Sequence, residues 1–288
     1  MAPSRERHRF IFIGGAHRSG TTLLADCLGD HPAISGLRNT NVPMDEGQFL
    51  QSVYPPYGTR RKLWPIRFIH PVAPDFLTLR GYGGPGRFGY DPGSHLTEES
   101  KLATDANAEG IFQAWAKYWD TSRPMLLEKS PPNLVRTRFL QRLFPDSFYI
   151  ILRRHPVPVS YATRRWAKRR PFHMLIDHWL TVYERAEADQ PKLQRVITLR
   201  YEDFVRSPQR VLDQAFRFLE LDPIPLAREV SEQVNRDYFA RWNRSLQGSS
   251  LRTRYAGYMR ERYEARVNHF GYTLGNPLLD GSDAGLRA

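Results

Sequence analysis

The sequence predicts an α/β fold, a three-layer arrangement with a central parallel sheet flanked by helices, on three observations. Short apolar runs alternate with stretches of helical period, the order of strand–helix–strand units rather than of consecutive strands. The first apolar run ends in paired glycines that lead straight into a helical pattern. Three of the four strand candidates end in polar or charged residues. With 288 residues and 41% hydrophobic content the chain reads as a single domain over residues 1–288. A chain of about 300 residues buries roughly 75% of its unfolded surface and needs neither disulfide nor metal to stay folded.

Residues 10–14 form the first strand and residues 21–28 the helix after it, which stops at Gly29-Asp30-His31-Pro32. Residues 125–127 and 147–152 are the next strand candidates, separated by a helical stretch around 134–143, and residues 195–199 are the fourth. Residues 35–100 hold Pro55-Pro56, Gly81, Gly83-Gly84-Pro85-Gly86 and many aromatic side chains, a loop-rich region of the kind that binds or covers ligands. Helical patterns follow at 207–219, where Ser207-Pro208 opens an amphipathic helix, at 224–235, and in a basic stretch at 250–270. Residues 281–288 read as a disordered tail.

Cys27 is the single cysteine, which excludes an intrachain disulfide and every multi-cysteine metal centre and points to a reducing, cytoplasmic setting. Residues 1–8 are polar, and the apolar run after them is shorter than a signal-peptide core. No stretch approaches the roughly 20 apolar residues of a membrane span, so a soluble protein is expected. Lys and Arg total 42 against 30 Asp and Glu, a formal charge of +12, which attracts polyanions or anionic substrates. Six of these cations are lysines and 36 are arginines, an excess that arginine-rich codon usage explains as readily as selection for a polyanion surface.

The most specific feature is Gly14-Gly15-Ala16-His17-Arg18-Ser19-Gly20-Thr21-Thr22, between a strand and a helix. Backbone N–H groups at such a turn converge on an anion, and the helix N-terminus adds about half a positive charge. The spacing from Gly15 to Gly20 is that of a P-loop, but Thr21 stands where that motif has its lysine. A loop that lacks this lysine and carries Arg18 suits a less highly charged group than the β- and γ-phosphates of a nucleoside triphosphate. A glycine-rich turn in which Ser19 or Thr21 merely caps the helix is the simpler alternative.

Residues Gly15 to Leu23 resemble the 5′-phosphosulfate loop of the sulfotransferases that use 3′-phosphoadenosine 5′-phosphosulfate (PAPS). Ile151-Leu152-Arg153-Arg154-His155-Pro156 is similar to the strand end of that family's 3′-phosphate site, and Arg200-Tyr201-Glu202-Asp203-Phe204 through Pro208 to its "Y-E-D-L-x-x-x-P" segment. Glu128-Lys129-Ser130-Pro131 resembles the "E-K-[ST]-P" of its carbohydrate and tyrosylprotein branches. The likeness covers residues 10–220 in order and spacing. It implies a P-loop NTPase-like fold and an enzyme that moves a sulfuryl group from PAPS, as co-substrate, to a hydroxyl of a small molecule, carbohydrate or peptide. Metal is not expected, because a sulfuryl group carries less charge to neutralise than a phosphoryl group.

The resemblance assigns His17, Arg18, Ser19, Gly20, Thr21, Thr22 and Leu23 to the donor's phosphosulfate, and Arg18 and Lys129 to the charge that develops on the bridging oxygen. Arg154 takes the 3′-phosphate; the family's serine eight residues on is Ala162 here, leaving Ser160 or Thr163 as substitutes. Tyr201 is expected to stack on adenine. The general base is expected at Glu46, in Met44-Asp45-Glu46-Gly47-Gln48-Phe49, although about seven more residues separate it from His31-Pro32 than in those branches. Asp45, His17 and His95 are its rivals. Trp64, Phe68, Tyr82, Phe88 and Tyr90 are candidates for the acceptor pocket.

The run Arg164-Arg165-Trp166-Ala167-Lys168-Arg169-Arg170 reads as a solvated helix face or as part of the anion site, without a specific nucleic-acid motif. Two other functions stay open. An atypical P-loop kinase acting on a small molecule needs a phosphate lysine and a Mg²⁺-holding acid, for which Glu128 is the nearby candidate. A non-catalytic polyanion-binding protein needs only the charge.

Overall fold

The first strand is apolar along its whole length and so needs cover on both faces. Strand β1 (Arg9–Gly14) turns Phe10 and Phe12 to one side and Ile11 and Ile13 to the other, and all four are buried. A computed structural model describes residues 4–56, 84–168, 170–231, 234–247 and 250–275 of the chain. Its other strands are β2 (Ile34–Gly36), β3 (Met125–Lys129), β4 (Ser147–Arg153) and β5 (Val196–Arg200), paired in parallel in the order β2-β3-β1-β4-β5.

On the Ile11 face lie α1 (Thr21–Leu28), which buries Leu24 and Leu28, and, later in the chain, α6 (Tyr201–Arg206) and α7 (Pro208–Phe218). The Phe10 face is covered by α2 (Asp105–Ala116), α3 (Thr137–Leu143) and α5 (Phe172–Asp189). Helix α4 (Pro156–Arg164) and the C-terminal helices α8 (Val234–Leu246) and α9 (Leu251–His269) pack against α5. The result is the expected three-layer α/β fold around an all-parallel sheet.

The chain leaves β1 toward one edge of the sheet and leaves β4 toward the other. A crevice therefore opens beyond the carboxyl ends of these two neighbouring strands, the place where open α/β sheets bind ligands. The glycine loop follows β1 and Arg154 follows β4, so both lie at that crevice. Ile13 is in register with Lys129 on one side and Ile150 on the other. Strand β3 runs two residues further than its apolar residues alone suggest, which places Glu128 and Lys129 inside the sheet.

Two expectations are corrected. No helix spans 224–231; Pro223 and Pro225 lack the N–H that a helix needs and push their predecessors to extended conformations, and the helix begins only at Val234. The basic run is not a helix face: α4 ends at Arg164, and the described residues 165–168 and 170 form turns and bends. The tail at 281–288 and the aromatics Trp64, Phe68 and Tyr82 lie outside the described residues. Among the described residues no helix is long and apolar enough to cross a membrane.

Leu24 is fully buried between α1 and the sheet. Leu24→Ala is expected to cost about 2–5 kcal/mol of unfolding free energy in urea denaturation, the range for a buried leucine whose cavity collapses only in part.

Candidate active site

The glycine loop is braced from below by Tyr183 of α5. Its hydroxyl donates to the Leu152 carbonyl at 2.7 Å, accepts from the Ala16 N–H at 3.1 Å and lies 3.2 Å from Ser19 Oγ. Ser19 Oγ donates to the Ala16 carbonyl at 2.6 Å and is fully buried, so this hydroxyl is spent on the loop's own shape. Gly20 has φ of 95°, and a Cβ there would stand 2.6 Å from the Tyr201 ring, so backbone conformation and packing both call for glycine. Helix α1 then opens without a side-chain cap, and the N–H groups of its first turn point out of the helix toward the crevice. Arg18 is exposed, with φ of 71° and its guanidinium 4.9 Å from the Trp166 ring.

Next to this loop, three ionisable side chains are buried together. Glu128 is fully enclosed: Oε1 accepts from Ser130 Oγ at 2.5 Å and from the Gly47 N–H at 2.8 Å, and Oε2 accepts from Asn133 Nδ2 at 2.5 Å. Trp115 Nε1 donates to the Gly47 carbonyl at 2.9 Å, and Ser130 Oγ accepts from the Gln48 N–H at 3.2 Å. The backbone on the far side of Glu46 is thereby fastened to β3 and α2. Glu46, 6% exposed, lies with Oε1 3.5 Å from Lys129 Nζ and Oε2 2.6 Å from Gln48 Nε2. Lys129 Nζ donates to the Met44 carbonyl at 2.9 Å. Burial pushes the Glu46 carboxyl above its ordinary value, against the pull of Lys129 and the Gln48 hydrogen bond. Thr22, Met44, Asp45 and Lys129 line one cleft of about 410 Å³ between α1 and the ends of β2 and β3.

Across the crevice, Arg154 is 5% exposed. Its Nε and Nη2 donate to Asn235 Oδ1 at 2.9 and 2.5 Å, and Nη1 donates to the Arg18 carbonyl at 2.9 Å. The guanidinium lies 4.3 Å from the Tyr201 ring centroid. Tyr201, 5% exposed, is thus held between Arg154 and Gly20 and offers little open surface for a base to stack on. Glu202 Oε1 accepts from the His155 N–H at 3.0 Å and Oε2 from the Tyr272 hydroxyl at 3.0 Å, tying the start of α6 to the start of α4.

Residues 11–225 match the profile of the Sulfotransferase family. The chain belongs to that family. The sulfotransferase domain of the Synechococcus PCC 7002 olefin synthase shares this fold, with a TM-score of 0.50 at 17% identity over 92% of this chain and 94% of that one. The sulfotransferase domain from the curacin biosynthetic pathway gives 0.46 at 19% identity, covering 89% and 98%, and a sulfotransferase from Alicyclobacillus acidocaldarius gives 0.43 at 18%, covering 91% and 96%. No curated protein sequence matches.

In this sulfotransferase the candidate bases stand in different surroundings. His17 is 4% exposed, edge-on to Phe88 at 5.3 Å, and burial followed by the charges of Lys129, Arg170 and Arg18 lowers its pKa to about 3. His95 is bound through Nε2 to Asp189 at 2.8 Å, at the end of α5. Asp45 bonds Thr40. Of these four candidates Glu46 is the one ion-paired with Lys129, at 3.5 Å. Ser160 is fully enclosed with an unpaired Oγ, while Thr163 Oγ1 donates to the His17 carbonyl at 3.4 Å. Phe88 is fully buried, and Tyr90 donates from the surface to Asp177 at 2.9 Å. Among the described residues no group of three or more His, Cys, Asp or Glu is placed to hold a metal ion.

Asn235, Tyr183 and Trp115 take part in the site without any sequence signal, since each acts through a contact with a distant segment. The buried His17 gives a pH test. Unfolded, it titrates near 6.5; folded, near 3. Below 6.5 the unfolded chain binds a proton that the folded chain refuses, so stability should fall as pH drops from 6.5 toward 3. His17→Gln should make the loss between about pH 6 and pH 4 less steep in chemical denaturation.

Proposed function

We propose that this sulfotransferase moves the sulfuryl group of PAPS to an acceptor hydroxyl, with Glu46 as general base. The observation that carries this reading is the Glu46 carboxylate, raised in pKa by burial and 3.5 Å from Lys129 Nζ, beside the phosphate loop. The donor brings a sulfur whose bond to the 5′-phosphate oxygen breaks as the acceptor oxygen attacks in line. The uncapped N-terminus of α1, with Thr21 and Thr22, holds the 5′-phosphate. Lys129 and the exposed Arg18 neutralise the charge left on its bridging oxygen. Glu46 takes the acceptor's proton as the new O–S bond forms.

Arg154 supplies the charge for the 3′-phosphate. Its burial disfavours an unpaired cation, and the carbonyl of Arg18 and the amide of Asn235 offset that cost only in part, so an anion is well received there. The site takes a 3′-phosphate without the family's serine, since Ala162 stands at that position and Ser160 is enclosed. Tyr201 backs Arg154, so its contribution to adenine is at most an edge. The reducing cytoplasm is the proposed setting, and the acceptor is a hydroxyl compound of small-molecule, carbohydrate or peptide class.

Glu46→Gln is expected to lower turnover by about a hundredfold or more, with donor affinity nearly unchanged, as for a lost general base. In the wild type, kcat/KM should fall on the acid side through a pKa above 4.5, because the base works only when ionised; the variant should lack that limb. Full turnover in Glu46→Gln would remove Glu46 from the role. In calorimetric titration, Arg154→Ala should weaken binding of 3′-phosphoadenosine 5′-phosphate far more than that of adenosine 5′-phosphosulfate. Equal losses would refute the 3′-phosphate site.

A further inference from the structure

The loop that leads to Glu46 concentrates unusual backbone. Asn39, Asn41, Met44 and Asp45 have φ of 55°, 58°, 57° and 48°. L side chains avoid this left-handed region, which asparagine and aspartate tolerate best and methionine does not. Met44 is 47% exposed, so burial of its side chain does not hold it there. The closure comes from Asp45. Its Oδ1 accepts from the Thr40 N–H at 2.9 Å and from Thr40 Oγ1 at 2.5 Å, and Thr40 is itself 2% exposed. These two bonds tie residue 40 to residue 45 around the consecutive left-handed residues Met44 and Asp45, beside the longer backbone bonds at 3.3 Å from the Asp45 N–H to the Val42 carbonyl and from the Glu46 N–H to the Pro43 carbonyl.

What the closed turn presents is the environment of Lys129. The Met44 carbonyl accepts from Nζ at 2.9 Å, and the Glu46 carboxylate lies 3.5 Å from it. These two groups flank Asp45 in sequence. On the far side the backbone is pinned at Gly47 by Glu128, independently of Asp45. If the closure to Thr40 opens, the left-handed pair relaxes and both groups that face Lys129 shift together. Backbone of this kind persists where the surroundings over-determine it, and it clusters at functional sites.

We propose that Asp45 is a positioning residue, whose bonds to Thr40 hold the Met44 carbonyl and the Glu46 carboxylate against Lys129. The proposal rests on Glu46 being the base and names what sets its place. It does not make Asp45 a base, because its carboxylate is engaged with Thr40.

The test uses the full chain with ³⁵S-labelled PAPS and a panel of phenols and sugars as acceptors, and follows release of 3′-phosphoadenosine 5′-phosphate in parallel. Asp45→Ala should lower kcat at least about tenfold with little change in donor KM, and should move the acid limb of kcat/KM down toward an ordinary glutamate value as Glu46 is released to water. Asp45→Asn keeps an oxygen that accepts from Thr40 and should recover most of the rate and the original limb. Thr40→Val, which removes one of the two donors, should fall between them. A fully active Asp45→Ala with an unmoved limb overturns the proposal. So does an Asp45→Asn as impaired as Asp45→Ala, since the acceptor oxygen would then not be what matters. If Asp45→Ala fails to fold, Thr40→Val decides: wild-type rate and limb refute the proposal, and a reduced rate with a lowered limb supports it. Glu46→Gln separates the two ideas. An active Glu46→Gln overturns the base, and with it the proposal; an inactive Glu46→Gln beside a fully active Asp45→Ala overturns the positioning role alone.

Discussion

Burying two carboxyl groups and an ammonium group together at the end of β3 is the constraint on which the rest of the site depends. Each charge taken out of water costs several kcal/mol unless its hydrogen-bonding capacity is met. Glu128 meets it with donors from Gly47, Ser130 and Asn133, and Lys129 with the Met44 carbonyl and Glu46. Two of these partners, the Gly47 N–H and the Met44 carbonyl, are backbone groups of residues 44–48. Satisfying β3 therefore dictates the path of a segment that has almost no regular structure of its own. This is why a loop-rich region can hold a carboxylate in one place.

The opposite wall of the crevice follows the same logic with the sign reversed. Among the described residues, Arg154 is a buried cation with no carboxylate at hydrogen-bonding distance; it is held by an amide, a carbonyl and the face of Tyr201. Tyr201 in turn fits only because Gly20 lacks a Cβ. The loop, β4 and β5 are thus interlocked through one ring, and the topology supplies the gap between them. Because β1 and β4 send their connections to opposite edges, the N-terminus of α1 and the buried arginine face one crevice rather than two.

Much of this was legible in the residues. The strands, the helix after the loop, and the P-loop spacing without its lysine all follow from short-range periodicity and from the demands of backbone hydrogen bonding. Glu46 and Lys129 come to notice only through the family resemblance and as separate motifs, not as a pair. Less legible were positions whose role comes from a distant contact. Asn235 lies where a helix was expected to end, and nothing near it in sequence hints at Arg154. Ser160 has the residue type for a phosphate contact, yet α4 turns it inward. Pro223 and Pro225 were visible and outweigh the apolar pattern that suggested a helix at 224–235.

The sequence by itself determined the alternation of strands and helices and the glycine turn after β1, because those depend on interactions within a few residues along the chain, and the alternation in turn implies a parallel sheet. It also contained every ionisable group of the site. Only the tertiary structure decided which of Glu46, His17 and His95 is ion-paired with Lys129. The Gly47–Glu128 bond that anchors this choice spans 81 positions. Burial and charge pairing are properties of neighbours in space, so the same carboxylate or imidazole acquires its acidity only once the chain has closed around it.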